Sequence, residues 1–491
     1  MNRRELLRRA ALLGGAAAVG RALPAFAAPA PTWERRPPKI AGGSILDLPA
    51  AEAPIDTVLV LMMENRSFDH YLGWLAGDER YLEEGRRLYR RFRIDANNTQ
   101  RYRAPGGGVV STFHLPSDAT EPNPYRGCGH PDPGHGWDAG RAQRDGGFLA
   151  PGSGNDEFAL GYYRQGDLPF YEALTRRFTV FDRYHCSCLG PTFPNREYLH
   201  SAQSGGIKNN ALPPEVGFPQ GFPWPTIWDR LIAAGVPCGY YFVDLPTTFL
   251  WGARLAPVSH NVADYFADAA AGTLPNVVFV DPGFVGANRT DEHPHGDVRD
   301  GQSYVRNVIK AFVESPHWER GLVILTYDEW GGFFDHVRPP VLPDERGSNV
   351  DDENFGQAGF RVPTRLISPY ARRNFVDHRL YDHTSILRFL EWRFLGAPPH
   401  GAGAPGAGWW LTLRDRTALN IGWSLKPDDP DPEFDVSGPP DPPAPHSPPC
   451  GAAAVVARRP PRVEVHPFEQ ALHAGMYERM GYRIDLRPLP V

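Results

Sequence analysis

Five short apolar runs, rich in β-branched residues, set the terms on which this chain can fold: Thr57 to Met63, Cys238 to Val243, Asn276 to Val280, Gly321 to Tyr327 and Thr364 to Ile367. They lack the polar alternation of a half-solvated strand, so they read as strands covered on both faces. Helical patterns lie between them, over Ser303 to Glu314 and Thr384 to Phe394. The second spaces Ile386, Leu387, Phe389, Leu390 and Phe394 along a helix, with Thr384 or Ser385 placed to cap its start. Strands alternating with helices predict an α/β protein, a three-layer α/β/α sandwich around a mostly parallel central sheet.

The remainder of the 491 residues falls around that core. A catalytic domain is expected over 54–425, with a loop-rich insertion or cap over about 76–175, where Arg, Gly and Pro are frequent and strand patterns scarce. A Pro/Asp-rich linker over 426–462 leads to a segment, 463–491, apolar enough to dock on the core. At the other end, Asn2-Arg3-Arg4-Glu5-Leu6-Leu7 is a twin-arginine pattern, followed by an Ala-rich apolar run and Ala25-Phe26-Ala27. Residues 1–27 thus read as a signal for the twin-arginine export machinery, 28–53 as a leader, and the destination as the periplasm, envelope or medium. The apolar run is too short to anchor in a membrane, and no later stretch reaches spanning length. A net charge of −6 argues against a nucleic-acid partner. Five cysteines are too few for a disulfide scaffold at this size, and Cys186 and Cys188 lack a second pair for a zinc site. One or two disulfides suit an oxidising compartment.

Several apolar runs deliver acids. Glu64 and Asn65 follow directly on Thr57 to Met63, and Asp328 and Glu329 follow on Gly321 to Tyr327. In open α/β sheets the binding crevice lies at the carboxyl ends of the strands. Carboxylates and an amide oxygen there suit a hard divalent cation, and vicinal acids are costly unless something neutralises them. The same residues around Asn65 and Ser67 also suit a polar turn that caps a helix. Thr192 sits between Pro191 and Pro194 on a conformationally restricted turn, with Asn195 and Arg196 after it. This is a nucleophile with phosphoryl-binding neighbours, or a rigid loop with a capping Thr. His135, His293, His295 and His383 stand in loops rich in Asp, Pro and Gly, suited to protonating a leaving oxygen or to structural hydrogen bonds.

The segments ENRSFDHYLG, GPTFPNR, DEHPHGD, TYDEWGGFFDHV and YDHTSILRFLEW occur in an order that resembles the bacterial phosphoesterase family joining phospholipases C with acid phosphatases. The resemblance runs from about Ile55 to Leu395 and implies an alkaline-phosphatase-like core with one active site at the sheet edge. It implies one divalent metal ion, Ca²⁺, Mg²⁺ or Mn²⁺ ahead of Zn²⁺, held by Glu64, Asn65, Asp328, Glu329 and the Thr192 hydroxyl. It implies Thr192 as nucleophile, with His293 and His135 as catalytic histidines. Asn195, Arg196, His295 and His383 are then phosphate-binding, with Asp382 beside His383. Acid phosphatases of the family typically carry Ser where this chain has Thr192, which favours a phospholipase C acting on a phosphatidylcholine-type diester at a membrane surface. A broad acid phosphatase is the nearest alternative, and a non-catalytic metal- or phosphate-binding envelope protein a more distant one. A sulfatase would need a C/S-x-P-S/A-R motif, which the sequence lacks.

Overall fold

The computed structural model describes residues 41–118, 123–286, 289–401, 403, 408–438, 450, 466–484 and 486. Its centre is an eight-stranded sheet. In spatial order the strands are β8 (Phe375–Asp377), β2 (Thr179–Phe181), β7 (Thr364–Ile367), β6 (Gly321–Tyr327), β1 (Thr57–Met63), β5 (Val277–Asp281), β3 (Cys238–Phe242) and β4 (Ser259–Asn261). Only β7 runs against its neighbours. The central strands β1 and β6 pair in parallel from Thr57 beside Gly321 to Met63 beside Tyr327, so their acidic successors emerge side by side.

Both faces of the sheet are covered, as continuous apolar strands require. Successive side chains of a strand point to opposite faces, and β3 shows the consequence. Tyr240 meets Trp228 of α6 (Ile227–Ala233), whereas Tyr241 meets Tyr265 of α7 (Val262–Ala271). The first helical layer joins α6 to α5 (Thr192–Ser201) and α9 (Thr384–Leu395); the second joins α7 to α8 (Val298–Val313) and α4 (Pro169–Arg177). This is the expected α/β/α sandwich.

The five anticipated strands lie within one residue of their expected bounds. The strands β2, β4 and β8 have only three residues each, too few to leave a periodic signature. Helix α8 begins before Ser303, because Asp297 caps it by accepting Arg299 N–H at 2.9 Å. Helix α9 is not capped by Thr384 or Ser385: it starts at Thr384 after His383, and the Thr384 hydroxyl bonds Asp382 Oδ1 instead.

Residues 76–175 contribute α2 (Glu79–Leu88), α3 (Trp137–Gly146) and two small ribbons, Arg101–Arg103 with Val109–Ser111 and Phe113–His114 with Gly161–Tyr162. Cys128 in this stretch forms a disulfide with Cys450, while Cys186, Cys188 and Cys238 are free thiols. After α10 (Leu413–Thr417), α11 (Pro467–His473) and α12 (Met476–Arg479) pack Phe468, Ala471, Met476 and Tyr477 into the core. Among the described residues, no helix is long and apolar enough to cross a membrane. The expected signal, residues 1–27, lies outside the described residues, as does most of the 426–462 linker.

Candidate active site

The site begins where β1 and β6 stop. Asp328 N–H donates to Met63 O at 3.0 Å, and Arg66 N–H to Glu329 O at 3.1 Å, so the two chain exits stay laced together beyond the sheet. Asn65 takes a left-handed backbone (φ 56°), and its N–H donates to Asp328 Oδ1 at 3.0 Å. The exits touch at Gly331 (φ 62°), where a Cβ would fall 2.0 Å from Asn65 O; only glycine fits this approach. Ser67, not Asn65, caps the following helix α1 (Phe68–Leu72). Asn65 is thereby left for the site.

Thr192 is placed by the second segment. Its expected loop is a helix start: Thr192 opens α5, and Pro194 is accommodated because first-turn N–H groups have no partner within a helix. The Thr192 hydroxyl donates to Glu64 Oε2 at 3.4 Å. Arg196, one turn along, does not present itself to a ligand. Its Nε and Nη2 donate to Glu64 Oε1 at 2.9 and 2.6 Å, and Nη2 also reaches Met62 O. Its Nη1 donates to Asp281 Oδ1 and Thr247 Oγ1. These bonds use all five guanidinium N–H groups, so Arg196 fixes Glu64 and is corrected from phosphate binder to positioning residue. Asn195 is likewise consumed: Oδ1 accepts from Cys188 N–H, and Nδ2 donates to the carbonyls of Cys188, Gly190 and Pro191. It staples the turn before Thr192.

A wall of histidines faces the acids. His135 lies just before α3: its Nδ1 bonds Pro133 O at 2.7 Å and its Nε2 meets Asn65 Nδ2 at 3.3 Å. His293 lies edge-on to His135, with ring centres 5.6 Å apart and Nε2 3.3 Å from Asp132 Oδ2. Asp132, His135 and His293 each bring a potential ligand atom within 4.8 Å of the others. The His293 loop is anchored by Glu292, whose carboxylate accepts from the hydroxyls of Tyr71, Tyr171 and Tyr327. The other expected phosphate contacts lie elsewhere. His383 spends Nε2 on Asp328 O (2.7 Å) and Nδ1 on Tyr184 (3.1 Å), so it holds the Asp328 backbone. His295 spends Nε2 on His130 O. Asp382 is taken by Ser187, Thr384 and Arg414.

Three residues escaped the sequence reading. Asp291, whose carbonyl accepts from Glu64 N–H, lies inside DEHPHGD and was within reach of motif inspection, as was Asp132 in PDPGHGW. His466 reaches the site from beyond the Pro-rich stretch, with Nε2 3.7 Å from Glu64 Oε2; nothing local in the sequence marks it.

The electrostatics disfavour three charged carboxylates side by side. Burial raises the pKa of Glu64 to about 7, with Asp291 and Asp281 adding to the effect against the pull of Arg196. Burial also drives Asp328 and Glu329 far above the carboxylate range, Glu64 adding to the first and Asp328 to the second. Burial, then the neighbouring His466 and Arg289, pushes His293 well down. Asn65 Oδ1, Asp328 Oδ2 and Glu329 Oε1 are buried, and among the described residues none accepts a hydrogen bond. Buried polar atoms are seldom left this way. Three such oxygens at adjoining strand ends fit one hard divalent cation, with Glu64 Oε2 and Thr192 Oγ1 beside them.

The phosphoesterase family matches residues 55–395. The non-specific phospholipase C6 of Arabidopsis thaliana is 32% identical over 371 residues, covering 68% of this chain and 67% of its own length. Phospholipase C B of Mycobacterium tuberculosis (strain ATCC 25618 / H37Rv) is 30% identical over 395 residues, covering 70% and 74%. Among solved structures, a protein in the alkaline phosphatase superfamily from Vibrio parahaemolyticus has a TM-score of 0.31 at 10% identity, covering 64% of this chain and 74% of its own.

Asp69, Asp335 and His336 form a second acidic group with ligand-like spacing, but an arginine already occupies its centre. Arg361 donates to Asp335 at 3.0 and 3.1 Å and to Asp69 at 3.1 Å, and ties these to the carbonyls of Asp95 and Asp182. Removing that fully buried guanidinium strands two buried carboxylates. Arg361→Met should therefore lower unfolding free energy by about 3–5 kcal/mol in denaturant titrations. Burial opposes charge on His336, but its bond to Asp69, with Asp335 behind, raises its pKa from 6.5 to about 9. Its stabilising contribution is complete below pH 6.5 and is lost as pH rises through 9. Stability measured at pH 6.5 and 9.5 should fall across that interval, and the fall should shrink in His336→Gln.

Proposed function

Because the chain belongs to the phosphoesterase family and is a hydrolase of phosphoester bonds, we propose that it is a metal-dependent phospholipase C-like enzyme that cleaves a phosphodiester through a phosphothreonine. The observation that carries this reading is the Thr192 hydroxyl at the head of α5, 3.4 Å from Glu64 Oε2, with three buried acceptor oxygens nearby that accept no hydrogen bond among the described residues.

A divalent cation bound by Asn65, Asp328 and Glu329 would neutralise the acids and favour the alkoxide form of Thr192. Thr192 Oγ1 attacks phosphorus and passes its proton to Glu64 Oε2. The bond from phosphorus to the alcohol oxygen breaks, and its electron pair goes to that oxygen, which is protonated from the His135–His293 wall. Burial disfavours charge on His293, but an anionic phosphoryl group against the wall favours the protonated ring. Water then attacks the phosphothreonine; the histidine regains its proton, and Glu64 returns its own to Thr192. Arg196 keeps Glu64 facing the hydroxyl throughout, and His383 keeps Asp328 in place.

A phosphatidylcholine-type lipid is the proposed substrate, which brings the enzyme into transient contact with a membrane surface. Export by the twin-arginine route is part of the proposal; the Arg3-Arg4 pattern, the Ala25-Phe26-Ala27 site and a disulfide that suits an oxidising compartment support it.

Thr192→Ala should lower turnover of p-nitrophenyl phosphorylcholine by about 1,000-fold or more while leaving the melting temperature unchanged; near-normal turnover would remove Thr192 from the chemistry. Exhaustive chelation should abolish activity, and a divalent ion should restore it; metal-free protein at full rate would exclude the cation. Faster turnover of p-nitrophenyl phosphate than of the choline diester would instead assign a phosphomonoesterase.

A further inference from the structure

His466 lies outside residues 55–395, the stretch the family match covers, yet it stands beside Glu64. It precedes α11, and its Nδ1 accepts Phe468 N–H at 3.4 Å. That bond makes Nδ1 the acceptor and leaves the ring proton on Nε2. Nε2 is 3.4 Å from Asp291 Oδ2 and 3.7 Å from Glu64 Oε2, but among the described residues it hydrogen-bonds to nothing. The side chain is only 3% exposed, so bulk water does not satisfy this donor. Nor is its position slack. The ring stacks on Phe284 and Phe468, at 5.5 and 5.4 Å between centres, and lies edge-on to His293 at 5.0 Å. Phe468 in turn packs edge-on to Phe193, the neighbour of Thr192, at 5.2 Å. A rigid, buried donor that faces the Asp291 and Glu64 carboxylates at 3.4 and 3.7 Å without a hydrogen bond to either, between the catalytic base and the histidine wall, is preorganised for a better-placed acceptor that arrives with the substrate.

We propose that His466 is a catalytic residue delivered by the C-terminal segment, whose Nε2–H donates to a non-bridging oxygen of the phosphoryl group. The inference rests on the reading that Thr192 attacks phosphorus at this site. It requires no proton transfer by His466, only a hydrogen bond that strengthens as charge builds on the phosphoryl oxygens. The enzyme's phosphoryl pocket is then closed from two sides that are joined covalently. The segment leading into α3 brings His135 and Cys128; the C-terminal region brings His466 and Cys450, and the two cysteines form the disulfide.

The test uses the full chain and two variants. His466→Phe keeps the stacking ring and removes the donor; His466→Gln keeps an amide donor near the Nε2 position. Wild-type turnover of p-nitrophenyl phosphorylcholine is measured first, and its absence would overturn the underlying phospholipase C-like reading rather than the role of His466. With an active wild type, His466→Phe should lose about 100-fold in kcat/KM, mostly in kcat. Inhibition by orthovanadate, a mimic of five-coordinate phosphorus, should weaken in parallel, and His466→Gln should recover about tenfold. Melting temperature and bound metal, measured by elemental analysis, should match the wild type. Activity of His466→Phe within threefold of wild type would overturn the proposal. So would equal losses in both variants with unchanged vanadate affinity, which would mark a packing role, or loss of the metal with the imidazole, which would mark a ligand.

Discussion

Three carboxylates share the ends of two adjacent parallel strands, and much of the molecule is arranged to keep them there. Glu64, Asp328 and Glu329 are fully buried, and β1 and β6 hold them in register to within one residue. Like charges this close resist ionisation, and burial adds to the resistance. The chain answers with one guanidinium, Arg196, which pairs with Glu64 and Asp281 and stands 3.9 Å from Asp328 Oδ2. Among the described residues, Asp328 Oδ2, Glu329 Oε1 and Asn65 Oδ1 still accept no hydrogen bond. Burial and mutual repulsion push Glu64, Asp328 and Glu329 toward their neutral forms, and the cation we propose would offset that repulsion.

The surrounding structure reads as support for that edge. Helix α5 supplies both the hydroxyl that faces Glu64 and the arginine that clamps it, from positions one turn apart on one rigid element. Asn195, between them in sequence, fixes the turn that leads into the helix. His383 grips the carbonyl of Asp328 from the far side, and Glu292, cradled by three tyrosines, fixes the loop that brings His293. The acidic group at Asp69 and Asp335 looks similar in composition, but Arg361 completes it internally. The two clusters differ in whether the protein supplies the balancing charge itself.

This contrast also explains what the sequence could disclose. The long strands were legible because burial on both faces writes a continuous apolar run, and the acids after Met63 and Tyr327 were legible because parallel strands put their successors on one edge. The three-residue strands carry no such run. Asn195, Arg196 and His383 were readable as residues of the site but not as its supports. Which atoms a guanidinium or imidazole faces depends on partners such as Asp281 and Tyr184, far away in the chain. His466 was illegible for the same reason: it is joined to the site by packing of Phe468 on Phe284 and Phe193, contacts no local pattern encodes.

We propose that the acids at the β1 and β6 ends hold a cation beside the Thr192 hydroxyl. An anomalous-difference map from crystals grown with Mn²⁺ would reveal it. One strong peak is expected, bounded by Asn65 Oδ1, Asp328 Oδ2 and Glu329 Oε1 and within ligand distance of Thr192. A map whose only peak lies among Asp132, His135 and His293, or which has none at these strand ends, would contradict it.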